Sequence, residues 1–460
     1  MFQANNDEID CIINDKIKTS DIASSAVNSD EYFHLVSMLP EIEANLYSKD
    51  PSLVLQSIHN LASIFKYKAI PDELSDQKLF LSILNEIAPF MNDDLLLEFG
   101  YMISNYYSHE IFTPELDLTK FASNVFMNTD LNNSSVKVIK PFIQFLSYAS
   151  KFVQISIIEN AEFYNKLEML IGISQDMDRN VAYLLSSILE NEVQTEILLL
   201  IPKLIDMFWK SKYELLDDTL IDIIRIIYLV IYWFDDISKL KEYFDILLVP
   251  LKSLWNKSIN ISNSIMLIVQ LPIPHEYIKM LLDSGGKDFM LNAIKTKNSA
   301  ISEALYLMAT LIKNGDDYEY MFQEVMKNAY FGKINTRIAA GMCIASYIYY
   351  NCDLVYPSFL EVMDDDDELN VANAISIILD FDNNEVNEAL IKALYHLSFK
   401  FYERKQVHEF RETCDQYYIP EKINSIIDNP DTNESLREAG ELFIFTSIRG
   451  MISFNEIYIN

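Results

Sequence analysis

The sequence predicts an all-α chain built from stacked helical repeats, and three observations carry that prediction. Amphipathic stretches of roughly 10–16 residues follow one another, with apolar positions at helical spacing. Glycine is scarce, 9 in 460 residues against a usual ~7%, which disfavours folds rich in tight turns and loops that cradle phosphate. One apolar phrase also returns along the chain at a nearly constant interval.

The phrase appears in SIHNLASIF (57–65), LLLEFGYMISNYYS (95–108), FIQFLSYAS (142–150), VAYLLSSIL (181–189) and IIRIIYLVI (223–231). It recurs in SIMLIVQLP (264–272), ALYLMATLI (304–312), TRIAAGMCIASYI (336–348) and AISIILDFD (374–382). Neighbouring copies lie mostly about 35 to 43 residues apart, the period of armadillo and HEAT repeats. A unit of that size has an apolar face that it cannot bury alone, so units stack and leave a long concave groove. Length agrees, because 460 residues exceed the roughly 250–300 at which a single compact core stops growing. The expected fold is therefore a right-handed α-solenoid of armadillo/HEAT-like repeats.

Taken in order, residues 1–37 form an acidic amino-terminal arm, holding only Lys16 and Lys18 against seven acidic residues. The array of about nine or ten repeats occupies 38–447, and 448–460 are a short tail. Polar turns such as NTDLNNSS (128–135), KNGDDYE (313–319) and DFDNNEVNE (380–388) separate the phrases, and no Pro- or Ser-rich linker interrupts them. The run MDDDDE (363–368) reads as a solvated loop at one such junction. The longest apolar run, Ile226 to Phe234, is nine residues; a membrane span needs about 20, so it reads as a buried helix. DSGGKD (283–288) reads as a helix junction.

Within LLLEFGYMISNYYS, a helical wheel puts Leu96, Phe99, Ile103 and Tyr107 on one stripe and Asp94, Glu98, Asn105 and Ser108 on the other. Tyr101 stands in the middle of the polar stripe, one turn from Asn105. Tyr183 has the same setting beside Arg179 and Glu190, with Ser187 one turn on. So does Tyr306, with Thr310.

The ends of the array resemble importin-α. LPEIEANLYSKDPSLVLQSIHNLASIF (39–65) is similar to the first repeat of that family, and CDQYYIPEKINSIIDNPDTNESLREAGELFIF (414–445) to its last. The resemblance implies an adaptor in nuclear protein import. In that family a Trp on each inner helix flanks the stems of Lys and Arg, an Asn four residues on clamps the peptide backbone, and acidic groups take the cationic heads. It places Tyr101, Tyr183 and Tyr306 at Trp positions and Asn105, Ser187 and Thr310 at Asn positions, with Glu98 and Glu190 as acidic neighbours.

The pattern also departs from the family. The three tryptophans, Trp209, Trp233 and Trp255, lie elsewhere, and other repeats offer Gln144 with Tyr148, Arg225 with Leu229, Met266 with Gln270 and Met342 with Ser346. A ladder so altered binds a different extended peptide, binds basic signals weakly, or binds nothing there. The acidic arm lacks the cations with which importin-α recruits importin-β, so a nuclear transport carrier would have to be engaged differently, or the protein would work alone.

Lys and Arg total 36 against 68 acidic residues, a net charge of −32. That field repels nucleic acid and anionic lipid and attracts basic partners, and it also keeps an apolar-rich chain in solution. Cys11, Cys343, Cys352 and Cys414 are scattered, as in a reducing compartment, and the acidic start lacks the features of a signal peptide. The six histidines show no metal-ligand spacing, and no nucleophile-elbow or phosphate-loop motif occurs. No enzymatic activity, cofactor or metal is expected. The expected function is an importin-α-like adaptor, cytoplasmic and/or nuclear, that holds basic peptide segments of proteins without binding nucleic acid or membranes. The alternative is a generic scaffold with no cargo role.

Overall fold

The computed structural model describes residues 30–449, apart from 49, 68–69, 72–73, 75–77, 110–112, 132–134, 153–158, 192–194, 235 and 361–368. Cys11, most of the acidic arm, nearly all of the tail and the MDDDDE run lie outside the described residues. Among those described, secondary structure is helical throughout, with no strand. The chain groups into two compact units, one ending at Asp235 and the other beginning at Asp236.

The first unit contains α1 (Asp30–Ser37), α2 (Leu39–Leu46), α3 (Pro51–Ile64), α4 (Lys78–Ile87), α5 (Asp93–Tyr107) and α6 (Leu116–Asn128). It continues with α7 (Ser135–Ser150), α8 (Ala161–Leu170), α9 (Gln175–Leu189), α10 (Thr195–Leu198), α11 (Ile201–Trp209) and α12 (Asp217–Trp233). The second holds α13 (Phe244–Leu248), α14 (Ile259–Val269), α15 (His275–Leu281), α16 (Lys287–Thr296), α17 (Ile301–Lys313), α18 (Phe322–Phe331) and α19 (Ile334–Tyr350). It ends with α20 (Cys352–Leu360), α21 (Val371–Leu379), α22 (Asn384–Glu403), α23 (Val407–Gln416), α24 (Ile419–Asp428) and α25 (Glu434–Phe443).

The polar turns of the sequence start these helices. Asn92 Oδ1 accepts the Leu95 amide at 2.9 Å, Ser174 Oγ the Met177 amide at 3.1 Å, and Asn433 Oδ1 the Leu436 amide at 2.8 Å. Each such cap satisfies an amide that the helix itself leaves without a partner, and is worth about 1 kcal/mol. At the DSGGKD junction, Gly285 at φ +130° turns the chain between α15 and α16.

In the first unit the long helices α3, α5, α7, α9 and α12 pack each on the next. Their apolar stripes make the core: Phe99, Ile103 and Tyr107 on α5, Phe142 and Phe145 on α7, and Leu184, Leu185 and Ile188 on α9 are all buried. The run from Ile226 is a helix as expected, with Ile226, Ile227, Val230 and Ile231 buried on α12. Close approach of α5 and α7 depends on Gly100, where an added Cβ would stand 2.8 Å from Pro141 Cγ.

A second regularity joins successive long helices. Asn105 Nδ2 donates to Ala62 O at 2.8 Å, His109 Nε2 to Phe65 O at 2.8 Å, Asn191 Nδ2 to Ser150 O at 2.9 Å and Trp233 Nε1 to Leu189 O at 2.8 Å. Each donor sits at or just past the end of one long helix and satisfies a final-turn carbonyl of the helix one repeat earlier. The sequence separations, 41 to 44 residues, are one repeat period. The second unit stacks α14, α17, α19, α22 and α25 in the same successive manner. Both units are helical-repeat stacks, the α-solenoid architecture that periodicity and composition predict.

Candidate protein-binding face

Every long helix of the first unit buries most of its surface and leaves one stripe toward solvent. On α5 the stripe carries Asp94, Glu98, Tyr101 and Asn105; on α7, Lys140, Gln144 and Tyr148, with Lys151 just beyond. On α9 it carries Asp176, Arg179 and Tyr183, with Glu190 following, and on α12 Arg225, Tyr228 and Tyr232.

Cross-helix pairs weld these stripes into one face. His59 Nδ1 of α3 lies 2.9 Å from Glu98 Oε2 of α5. Lys140 Nζ of α7 bonds Asp176 Oδ2 of α9 at 3.0 Å, and that bond and charge hold the Asp176 carboxyl below its usual range. The rings of Tyr148 and Tyr183 meet edge to face at 5.9 Å, and Lys151 Nζ stands 5.3 Å from the Tyr183 centroid. Arg225 of α12 reaches Glu190 at 2.7 Å, and within α12 Tyr228 and Tyr232 stack at 5.9 Å.

A polar seam runs beneath. Ser104 Oγ donates to Gln144 Oε1 at 3.3 Å, Gln144 Nε2 to Asn180 Oδ1 at 3.1 Å, and Ser186 Oγ to Asp222 Oδ1 at 3.4 Å. Burial pushes the Asp222 carboxyl up to about 7, against the opposing pull of the Arg225 charge and the Ser186 bond.

The structure brings five of the eight predicted site residues onto this face: Tyr101, Asn105, Glu98, Tyr183 and Glu190. Tyr101 and Tyr183 are half-exposed, as expected from the wheel. Of the three clamp positions the structure contradicts Ser187 alone, and it gives the half-exposed Asn105 and Thr310 partners inside the chain. Asn105 directs its amide at Ala62 O within its own chain. Ser187 is fully buried, so it cannot meet a peptide. Thr310 turns its hydroxyl back to Tyr306 O at 3.1 Å. Tyr306 is half-exposed on α17, in the second unit. The reason is geometric: a residue four positions on is rotated by about 40° around the helix, which carries it toward the neighbouring helix. Met266, Met342 and Ser346 are likewise buried. The acidic partners are engaged too, Glu98 by His59 and Glu190 by Arg225.

Sequence reasoning did not single out Tyr228 and Tyr232, and it weighed Tyr148 only as a clamp position. Their signal was available: each interrupts an otherwise apolar helix at the position of the solvent stripe. Between α3 and α5 the face has a shallow pocket of about 340 Å3, with Leu55 and Leu97 as apolar walls and Asp94 and Glu98 at the rim. Aliphatic walls under carboxylates suit the stem and head of a long cationic side chain.

Among the described residues no three His, Cys, Asp or Glu side chains converge as metal ligands would, and no single helix is long and apolar enough to cross a membrane.

No family model matches the chain, and no curated protein matches it. Solved structures do. An engineered protein from a structural-genomics consortium superposes with TM-score 0.55 at 12% identity, covering 91% of this chain and 99% of that one. A structure from work on a phosphorylation switch controlling the interaction between cadherin and β-catenin superposes with TM-score 0.58 at 10% identity, covering 94% and 90%. A crystal structure of She4p gives TM-score 0.37 at 12% identity, over 96% of this chain and 73% of that one. At such identities the first two likenesses speak to fold alone, and they agree with the helix order: the chain is an armadillo-like α-solenoid.

Proposed function

We propose that the chain is a protein-binding adaptor whose first unit holds an extended, basic segment of a partner against the tyrosine-bearing face of α5, α7, α9 and α12. One observation carries this reading: four successive helices each present a half-exposed tyrosine on one joined surface, at Tyr101, Tyr148, Tyr183 and Tyr228. Tyrosine offers a rigid apolar ring and a polar tip at low entropic cost, a combination enriched in protein recognition. Lys151 on the Tyr183 ring is an internal instance of the contact that a partner's lysine would make. The acidic pocket between α3 and α5, together with the net charge of −32, favours a basic segment.

An importin-α-type role in nuclear import, with a transport carrier as second partner, is the finer form of this reading and rests on the resemblance of the chain ends. The inward commitment of Asn105 and the burial of Ser187 favour a second reading, a scaffold that organises a complex without carrying cargo. Fluorescence anisotropy separates them. A Lys/Arg-rich peptide and a charge-neutral peptide of equal length are titrated across a salt series, with wild type beside a Tyr148→Ala, Tyr183→Ala double variant. Binding of the basic peptide at near-physiological salt, weakened more than tenfold (about 1.4 kcal/mol) in the variant, supports the adaptor. Equal binding by both proteins, or binding only at low salt, gives the scaffold.

A further inference from the structure

We propose that the groove between α22 and α25, in the second unit, is a docking site for a basic amphipathic helix of a partner protein. The site is separate from the tyrosine face and does not depend on it.

The groove has an apolar floor. Tyr395 of α22 and Ala439 and Leu442 of α25 line a shallow depression of about 200 Å3. Leu442 is 41% exposed, and Phe445, one turn further, is 39% exposed. Single exposed apolar side chains are ordinary, but Leu442 stands over a pre-formed depression with Phe445 exposed just beyond the end of α25, and the two together form an anchor. Ala439 lets an approaching helix come close, and the row from Ser435 to Phe445 covers eleven residues, about 15 Å of helix. That length matches two to three turns of a ligand seated ridge-into-groove.

Charge chooses the occupant. Glu434, Glu438 and Glu441 stand exposed along α25 and, on a helical wheel, share one stripe with Phe445. The depression's own cation, Lys392, and those nearby are already held. Lys392 bonds Glu388 at 2.5 Å, Ser435 reinforces Glu388 at 2.7 Å, and Lys400 lies 3.5 Å from Glu403. Arg437 of α25 points its guanidinium at the Ile427 and Asn429 carbonyls. Arg449 places its guanidinium 5.4 Å from the Phe445 centroid, showing that this ring accepts a cation. An acidic stripe beside an apolar floor fits a helix with leucines on one face and lysines around it.

The test uses the full-length chain and two labelled 14-residue peptides with leucine at a and d positions. One carries lysine elsewhere and the other glutamate. Anisotropy is followed for wild type, Leu442→Glu, a Glu438→Lys, Glu441→Lys double variant, and the Tyr148→Ala, Tyr183→Ala double variant. All three variants are checked by circular dichroism for an unchanged fold. The expected result is binding of the lysine peptide at about micromolar concentration, weakened at least tenfold by Leu442→Glu and by the charge reversal, and unchanged by the tyrosine variant. The proposal is overturned by absence of binding, by equal binding of the glutamate peptide, or by loss in the tyrosine variant alone. Sedimentation showing a dimer that Leu442→Glu abolishes would also overturn it, since the occupant is then a second copy.

Discussion

The indole nitrogen of Trp233 donates to the backbone oxygen of Leu189 at 2.8 Å, and the two residues are separated by 44 positions. Leu189 ends α9 and Trp233 ends α12, so the bond caps the carbonyl end of one long helix with the last residue of the next. Asn191 does the same for Ser150, and Asn105 for Ala62. Capping by a neighbour rather than by water ties the repeats in register. Trp233→Phe keeps an aromatic ring but removes the donor with the five-membered half of the indole, leaving the Leu189 carbonyl without this partner. The expected loss is about 1 kcal/mol, read as faster hydrogen exchange of amides in the last turn of α9. Unchanged exchange there would show that the bond does not contribute.

Asn105 gives a sharper discrimination. A clamp on a partner's backbone and a cap on Ala62 both predict weaker peptide binding in Asn105→Ala. Only the cap predicts a loss in the free protein, of about 1 kcal/mol, at the end of α3. Hydrogen exchange without peptide is therefore the deciding measurement. Protection of α3 identical to wild type would return Asn105 to the peptide.

How legible this face is in the sequence follows from how each residue takes its place. Tyr101 and Tyr183 can be found from the wheel alone, because a wide apolar stripe fixes which side of α5 and α9 faces water. Helix existence and repeat period are equally local, set by apolar spacing and by Asn and Ser caps. The fates of Asn105, Ser187 and Thr310 are not local. Each is about 40° round from its tyrosine, and only the position of the adjacent helix decides whether that point is wet. The Trp233–Leu189 bond lies beyond reach for the same reason, since its partner belongs to another repeat. The division at Asp235 has no linker signal, because no Pro- or Ser-rich stretch marks it.

Gly100 sets the spacing of α5 and α7. With an added Cβ 2.8 Å from Pro141 Cγ and 3.0 Å from Phe142 Cε2, Gly100→Ala forces the helices apart. Pro141 is inside α7 and its ring can yield only by a change of pucker, so most of the relief must come from helix displacement. Overpacking of this kind costs about 1–3 kcal/mol, more than the helix-propensity gain of about 1 kcal/mol from removing glycine. The urea midpoint of the first unit's transition should fall. A rise would mean that the interface has slack.

Asp222 makes the stability of the α9–α12 contact depend on pH. Its carboxyl is pushed up to about 7 by burial, from a usual value near 3.8. The acid is neutral in both folded and unfolded chains below about pH 4, so the penalty is absent there. Between about 4 and 7 the unfolded chain releases the proton while the folded chain keeps it. Stability therefore falls as pH rises through that window, by up to about 1.4 kcal/mol per pH unit, and the loss is complete above it. Asp222→Asn removes the titration while retaining an oxygen for the Ser186 hydroxyl. Relative to wild type, the variant should gain stability steadily from pH 4 to 7 and then level off. Arg225 and Glu190 face the same carboxyl, with Asp218 one turn before it on α12, so Arg225→Met should extend the falling window to higher pH by withdrawing the one nearby cation. A stability difference between Asp222→Asn and wild type that stays flat from pH 4 to 8 would mean that water reaches Asp222 and that the seam beneath the tyrosine face is not closed.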